Sequence, residues 1–309
     1  MMSSPDATLR VPATSANLGP GFDTLGLALS LDLEIAVRRS ERDEFEYRGD
    51  GSVPNSPDNL LHQGFAAACR AAGCEPFPVA FAVDNPIPLA RGLGSSSAAL
   101  VGGAAAADLL LNGALGRDGV FEVTAAIEGH PDNVGPAVYG GFTVSARDSA
   151  GHYRTRSLPV PSGWHLLFAV PDFELFTEGA RRLLPEQYSR ADVVKTSSRA
   201  ALWTLAVATD DPELLRTASL DVLHQPYRAP LMDGFERCLA EAFEADAFAA
   251  FLSGSGPTVG AVTGDAALAG VRAALERYAG PAGKVLELET APGYQAVTLS
   301  CVSVVPEAP

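Results

Sequence analysis

The stretch IPLARGLGSSSAALVGGAAAA, residues 87–107, constrains the fold more than any other part of the chain. Its second half is alanine and glycine with few large side chains, so a helix formed here is thin. Alanine is the best helix former, whereas glycine inside a helix costs about 1 kcal/mol relative to it. Ala98, Ala99, Gly102 and Gly103 fit a helix that packs close against a neighbour. Ahead of them, Gly92 and Gly94 give a backbone that can approach a ligand, and Ser95, Ser96 and Ser97 offer a helix cap and hydroxyls. Free amides at a helix N-terminus, aligned with its dipole, make a site for phosphate. The same residues also make an ordinary capped helix, so the rest of the chain has to decide.

At 309 residues the chain exceeds the usual single-domain size, which points to two domains. An apolar fraction of 47% is enough to build real cores. The net charge of -15 excludes nucleic acid or an acidic membrane as the main partner, since phosphate backbones select basic surfaces. It leaves room for a small anion held by local donors. The opening MMSSPDATLR lacks a basic region followed by an apolar run, and residues 98–111 contain Asp108 and fall short of the ~20 needed to span a bilayer. Cys69, Cys74, Cys238 and Cys301 form neither a CxxC pair nor a zinc spacing, as expected of reduced structural thiols in a soluble cytoplasmic protein.

Residues 9–13 and 24–37 read as strands separated by the polar loop TSANLGPGFD. The charged, turn-rich RRSERDEFEYRGDGSVPNSPDN reads as an exposed hairpin with its return loop. Residues 60–72 have helical spacing and stop at Gly73, a natural C-cap. A strand at 79–83 leads into the glycine-serine loop and its helix, and a second helix covers 121–128. GHPDNVGPAVYGG is too polar and glycine-rich for either periodic structure and reads as a loop. A boundary falls near SLPVPSGW, giving domains 1–160 and 161–309. The second half alternates strands at 164–170, 248–252 and 259–262 with helices at 191–208 and 233–244.

Familiar nucleotide motifs fail. Neither lysine stands in a Gly-Lys-Ser/Thr loop, and Ser97 occupies the place of the third glycine in a dinucleotide fingerprint. The full string IPLARGLGSSSA, however, resembles the ATP-phosphate motif of the GHMP small-molecule kinases. PATSANLGPGFDTLGLAL resembles the N-terminal motif of the homoserine-kinase branch, and LSGSGPT resembles the third GHMP motif. EGHPDNVGPAVYGG, TEGARRLLP and DVLHQPYR are similar to homoserine-kinase segments, so the likeness runs from about Val11 to Thr258.

The resemblance implies an α+β fold of two domains, the N-terminal one like the second domain of ribosomal protein S5 and the C-terminal one ferredoxin-like, with the site between them. It implies ATP and Mg2+, L-homoserine as the acceptor, and an enzyme that transfers phosphoryl to that alcohol. Members of this family often form homodimers. Asn59, Pro88, Ala90, Arg91, Gly92, Leu93, Gly94, Ser95, Ser96, Ser97 and Ala98 would then bind ATP, and Glu122 with Ser96 would hold magnesium, which takes one or two carboxylates beside phosphate oxygens. Asn17 and Asp23 would reach the amino acid, Asp23 at its ammonium group. His130 and Asp132 would lie against substrate, and Asn133 would orient the attacking hydroxyl. Arg181 and Arg228 would grip the α-carboxylate through forked bonds that lysine cannot reproduce. Arg182 competes with Arg181 for the first role but stands one position off the motif. Many relatives carry lysine just before the Ile-Pro of the phosphate motif, where this chain has Asn85 and Pro86.

Overall fold

The computed structural model describes residues 5–56, 58–175 and 177–299, and Cys301 lies outside them. The chain starts with two long strands, β1 (Ala7–Asn17) and β2 (Gly21–Arg39), paired antiparallel. Pro12 has no amide hydrogen to donate, and the register shifts between Pro12 and Ala13. After β3 (Glu44–Gly49) comes helix α1 (Leu60–Ala71), capped by Asn59, whose side chain accepts from the Leu61 amide. β4 (Val79–Asn85) follows and pairs with β2 antiparallel and with β3 in parallel. The expected hairpin is thus absent: β3 pairs with β4 and not with β2. The physical reason is the connection, because parallel neighbours need a crossover and α1 supplies it.

The small-residue helix is α2 (Ser95–Leu110), and from Ser97 onward it is buried apart from the half-buried Ala99 and Leu109. A Cβ on Gly103 would stand 1.9 Å from the Leu61 carbonyl oxygen, and one on Gly64 would stand 2.1 Å from that of Leu100. α1 and α2 therefore touch backbone to backbone, which is what the thin helix is for. α3 (Gly116–Glu128) starts earlier than its sequence periodicity indicates and ends at Gly129 in a left-handed cap. The segment read as a loop contains a short helix, α4 (Val134–Tyr139), seated in the core through Val134, Ala137 and Val138. Six residues are too few for a periodic signal to show. β5 (Phe142–Arg147) and β6 (Tyr153–Leu158) complete that half of the chain.

Next come β7 (His165–Val170), α5 (Thr177–Arg181), α6 (Arg190–Thr209), α7 (Leu215–Ala218) and α8 (Gln225–Arg228). The chain closes with α9 (Phe235–Glu244), β8 (Ala249–Leu252), β9 (Val259–Thr263), α10 (Leu268–Ala279), β10 (Lys284–Leu288) and β11 (Gln295–Leu299). The strands form a seven-stranded sheet, in which β5 and β6 branch from β2 beside the order β11-β1-β2-β4-β3, and a four-stranded sheet, β10-β7-β9-β8. The second sheet begins at His165, close to the boundary at 160/161, but the chain then returns, because β11 pairs with β1. Trp203 of α6 joins the two halves, stacking on Phe142 of β5 and meeting Phe251 of β8 edge-on. Among the described residues no helix is long and apolar enough to cross a membrane.

Candidate active site

A cleft of about 440 Å³ lies where the loops of the two halves meet. Its floor is the segment that opens α2. Gly94 takes the left-handed conformation, φ 69°, and a Cβ there would fall 1.9 Å from Thr14 Oγ1. Only glycine fits so close to β1. The Thr14 amide donates to the Leu93 carbonyl, and Ser253 Oγ donates to the Gly92 carbonyl at 2.6 Å while sharing a hydrogen bond with Ser15 Oγ. The Gly254 amide donates to Ala16, and Asn17 Nδ2 donates back to the Gly254 carbonyl. The loops TSANLGPGFD, GLGSSS and SGSGPT are thus tied into one unit, although they are far apart in sequence.

Asn17 and Asp23 both sit at positive φ, 69° and 54°, a region their short polar side chains tolerate. The amide of Asp23 donates to Asn17 Oδ1, and Asp23 takes a two-pronged ion pair from Arg181. That hydrogen bond raises Arg181 further above its ordinary guanidinium value, against the effect of burial. Beside Asp23, His130 Nδ1 and Asp132 Oδ1 stand 2.7 Å apart, and the Asn133 amide donates to the same Asp132 oxygen. Burial works against a charge on His130, but the Asp132 hydrogen bond, with Asp132, Glu128 and Asp23 as neighbouring charges, outweighs it and raises the imidazole above 6.5. Thr14 Oγ1 donates to Asn133 Oδ1, fixing that amide beside the start of α2. Arg228 is 1% exposed, and burial first, then the nearby Arg181 charge, lowers it to about 10. It still carries its proton at neutral pH.

Residues 59–141 match the family of GHMP kinases N terminal domains, and residues 205–281 match the GHMP kinases C terminal family. The chain is 49% identical over 286 residues to a homoserine kinase of Thermus thermophilus, covering 93% of this chain and 97% of that one. It is 44% identical over 262 residues to a homoserine kinase of Deinococcus radiodurans, covering 84% and 85%. The chain belongs to the homoserine kinase family. Among solved structures, a homoserine kinase from Cytophaga hutchinsonii superposes with a TM-score of 0.84 at 26% identity, over 96% of this chain and 99% of that one. A mevalonate kinase from L. major, 13% identical with a TM-score of 0.68, over 94% and 99%, shares the fold.

Within this homoserine kinase family site, the sequence-expected residues Asn17, Asp23, Asn59, Pro88, Ala90, Arg91, Gly92, Leu93, Gly94, Ser95, Ser96, His130, Asp132, Asn133, Arg181 and Arg228 all line the one cleft. Ser97 and Ala98 lie buried just behind it. Arg182 is exposed and does not line it.

Glu122 is placed elsewhere: its exposed carboxylate meets His152 Nδ1 at 3.1 Å, outside the cleft. The carboxylate at the start of α2 is Glu128, which accepts from Ser96 Oγ at 3.3 Å and Ser97 Oγ at 2.7 Å. Residues six apart on a helix differ by about 240° in direction, so both cannot face α2. The available signal was position, since Glu128 closes α3 immediately before the Gly129 cap and the GHPDN turn.

In place of lysine, Asn85 donates to both Tyr47 Oη and Ser95 Oγ and links the apolar end of the cleft to the helix start. Arg91 reaches the other way, donating to the Pro171 carbonyl and lying 3.7 Å from Asp172 and 3.5 Å from Glu174. Thus the segment after β7 is held against the GLGSSS loop.

Proposed function

We infer that this chain transfers the γ-phosphoryl group of ATP to the side-chain hydroxyl of L-homoserine, giving ADP and O-phospho-L-homoserine on the route to threonine. The observation that carries the reading is its 49% identity, across 93% of the chain, to a homoserine kinase. The cleft supports it by bringing side chains of both signs, Asp23 with Arg181 and Arg228, into one lining.

In this reading the nucleoside occupies the apolar end beside Phe45, Tyr47, Val53 and Leu61, and its phosphates run along GLGSSS to the N-terminus of α2. The amides there and the helix dipole favour the anion. Ser96 Oγ and the Glu128 carboxylate are hard oxygen donors at that point, which suits magnesium better than zinc or copper. Bound there, Mg2+ would offset charge on the β- and γ-phosphates.

Asp23 receives the ammonium group of the acceptor, and Arg181 with Arg228 receives its carboxylate. His130 stands beside them, oriented by Asp132, whose hydrogen bond favours the protonated imidazole. Asn133 positions the hydroxyl, its own amide held by Thr14. A loose phosphoryl-transfer transition state draws mainly on positioning and charge neutralisation, so no residue is needed as a committed base. Operation in the cytoplasm, and as a homodimer, belongs to the same reading. The experiment that tests it is ADP release from ATP and Mg2+ with and without L-homoserine.

A further inference from the structure

α8 carries Arg228, and the residue one turn before it, His224, is entirely buried. His224 Nε2 lies 2.7 Å from the Gly19 carbonyl oxygen, and a carbonyl can only accept. Nε2 therefore carries the proton. The other nitrogen, Nδ1, is then left with a lone pair, and Arg228 Nη1 donates to it at 3.1 Å. The same Nη1 also donates to the Gly254 carbonyl at 3.0 Å. Nε of Arg228 is buried and has no hydrogen-bond partner among the described residues, on a side chain that lines the cleft. Nη1 is thus consumed in holding the guanidinium still.

The Gly19 carbonyl is itself immobile. A Cβ on Gly19 would sit 2.3 Å from the Ser219 carbonyl oxygen, so the turn between β1 and β2 is packed against the end of α7. Gln225 anchors α8 from its other side by accepting the Leu252 amide at 2.6 Å. The groups facing His224 are the Phe22 ring from β2, Arg228 from its own helix, Asp221 and, more distantly, Asp132. Asp221 accepts from the amides of Leu223, His224 and Gln225, and its Oδ2 lies 3.6 Å from His224 Nε2, farther than the Gly19 carbonyl.

We propose that His224 is a positioning residue for homoserine recognition: as the neutral Nε2–H tautomer, it carries the fixed geometry of the Gly19 turn to Arg228 and aims that guanidinium at the substrate carboxylate. The assignment rests on the homoserine kinase reading given above. It also makes acceptor binding sensitive to acid. A proton on Nδ1 removes the lone pair and sets two cations side by side, so the device works only with the imidazole neutral. Burial, opposed by Asp221 and reinforced by Arg228, holds its proton affinity below that of an ordinary histidine.

Two amides separate the functions of the ring. Asparagine at 224 can present its oxygen near the place of Nδ1, whereas glutamine can present its nitrogen near that of Nε2. His224→Asn, which keeps the acceptor for Arg228 but loses the tie to Gly19, should raise the homoserine KM by about threefold. His224→Gln should raise it about tenfold, the scale of one buried hydrogen bond to a charged group, with the KM for ATP unchanged in both. The KM for homoserine should also rise as the parent is acidified, and His224→Asn should lose that component. Equal homoserine KM values for the parent and both variants, with only thermal stability altered, would overturn the proposal.

Nitrogen NMR of the unaltered protein tests it without any variant. Neutral His224 protonated on Nε2 supports it, and a proton on Nδ1 overturns it. Arg228→Ala keeps the two readings apart. If it leaves the homoserine KM untouched, the carboxylate grip itself fails. If it raises KM steeply while both His224 variants match the parent, only the role of His224 fails.

Discussion

Arg181 and Asp23 face each other squarely, with Nη1 2.8 Å from one carboxylate oxygen and Nη2 2.7 Å from the other. They are the two residues assigned to opposite ends of the acceptor. In the proposed reading, an amino acid entering between them would give Asp23 an ammonium and Arg181 a carboxylate in exchange for one another. The local charge balance is the same before and after, so neither residue is left as an unpaired ion. The pair is partly exposed, at 40% and 33%, which makes its opening inexpensive.

This exchange sets the expected behaviour of the arginines. Arg228→Ala should lower kcat/KM for homoserine by thirtyfold or more, given the ~2–5 kcal/mol typical of truncating one partner of a buried charged contact, and Arg181→Ala, at a half-exposed residue, should lower it less. The affinity for ATP should change little. Arg181→Lys should restore only part of the loss, because an ammonium keeps the charge and loses the planar fork. Arg182→Ala should stay close to the parent. Homoserine kinetics at saturating ATP decide the matter, and a crippled Arg182→Ala beside a normal Arg181→Ala would invert the assignment.

The two glutamates of α3 give an equally sharp contrast. Glu128→Gln retains the shape of the Ser96 and Ser97 contact and removes the charge proposed for the metal. Turnover should fall by roughly a hundredfold or more, the scale of lost transition-state charge stabilisation. Glu122→Gln should remain within about twofold of the parent, since the exposed Glu122 carboxylate pairs with His152 at the surface. A magnesium titration of both variants checks the cause, with the requirement shifted upward in Glu128→Gln alone.

His130 gives a pH signature of defined sign. Its folded-state proton affinity lies above the ordinary value of 6.5, so the folded chain holds that proton more tightly than the unfolded chain. The stabilisation is complete below the unfolded value and disappears as pH rises through the folded one. His130→Gln should therefore lower Tm more at pH of about 5.5 than at about 9. His224, displaced in the opposite direction, loses stability on acidification but does so in both proteins, and the difference between them removes it. An equal deficit at both pH values would mean that Asp132 does not favour the imidazolium.

Much of the site was legible because its chemistry is carried by short contiguous strings. Gly92, Gly94 and the three serines sit together in sequence, and so do His130, Asp132 and Asn133. Legibility failed where the answer depends on direction. Glu122 and Glu128 share one helix, and only the three-dimensional packing of α3 on α2 decides which carboxylate meets Ser96. β3 looks like half a hairpin locally, and its pairing with β4 depends on the crossover through α1. The Arg181–Asp23 pair joins residues 158 positions apart, a relation that no local pattern contains. α4 escaped for a different reason, since a six-residue helix is too short to repeat any pattern.

In the proposed reading this cleft recognises an amino acid by both of its charged ends and phosphorylates its hydroxyl. The most direct measurement is ADP release with ATP and Mg2+ across L-homoserine, L-serine, L-threonine and mevalonate. Homoserine should give the highest kcat/KM, because only it combines both charged ends with a primary hydroxyl on the longer chain. Mevalonate, which lacks the ammonium, should be turned over poorly because it leaves Asp23 without a cation. A clear preference for mevalonate over homoserine would show that the site reads the acceptor by something other than the Asp23 and Arg181 pair.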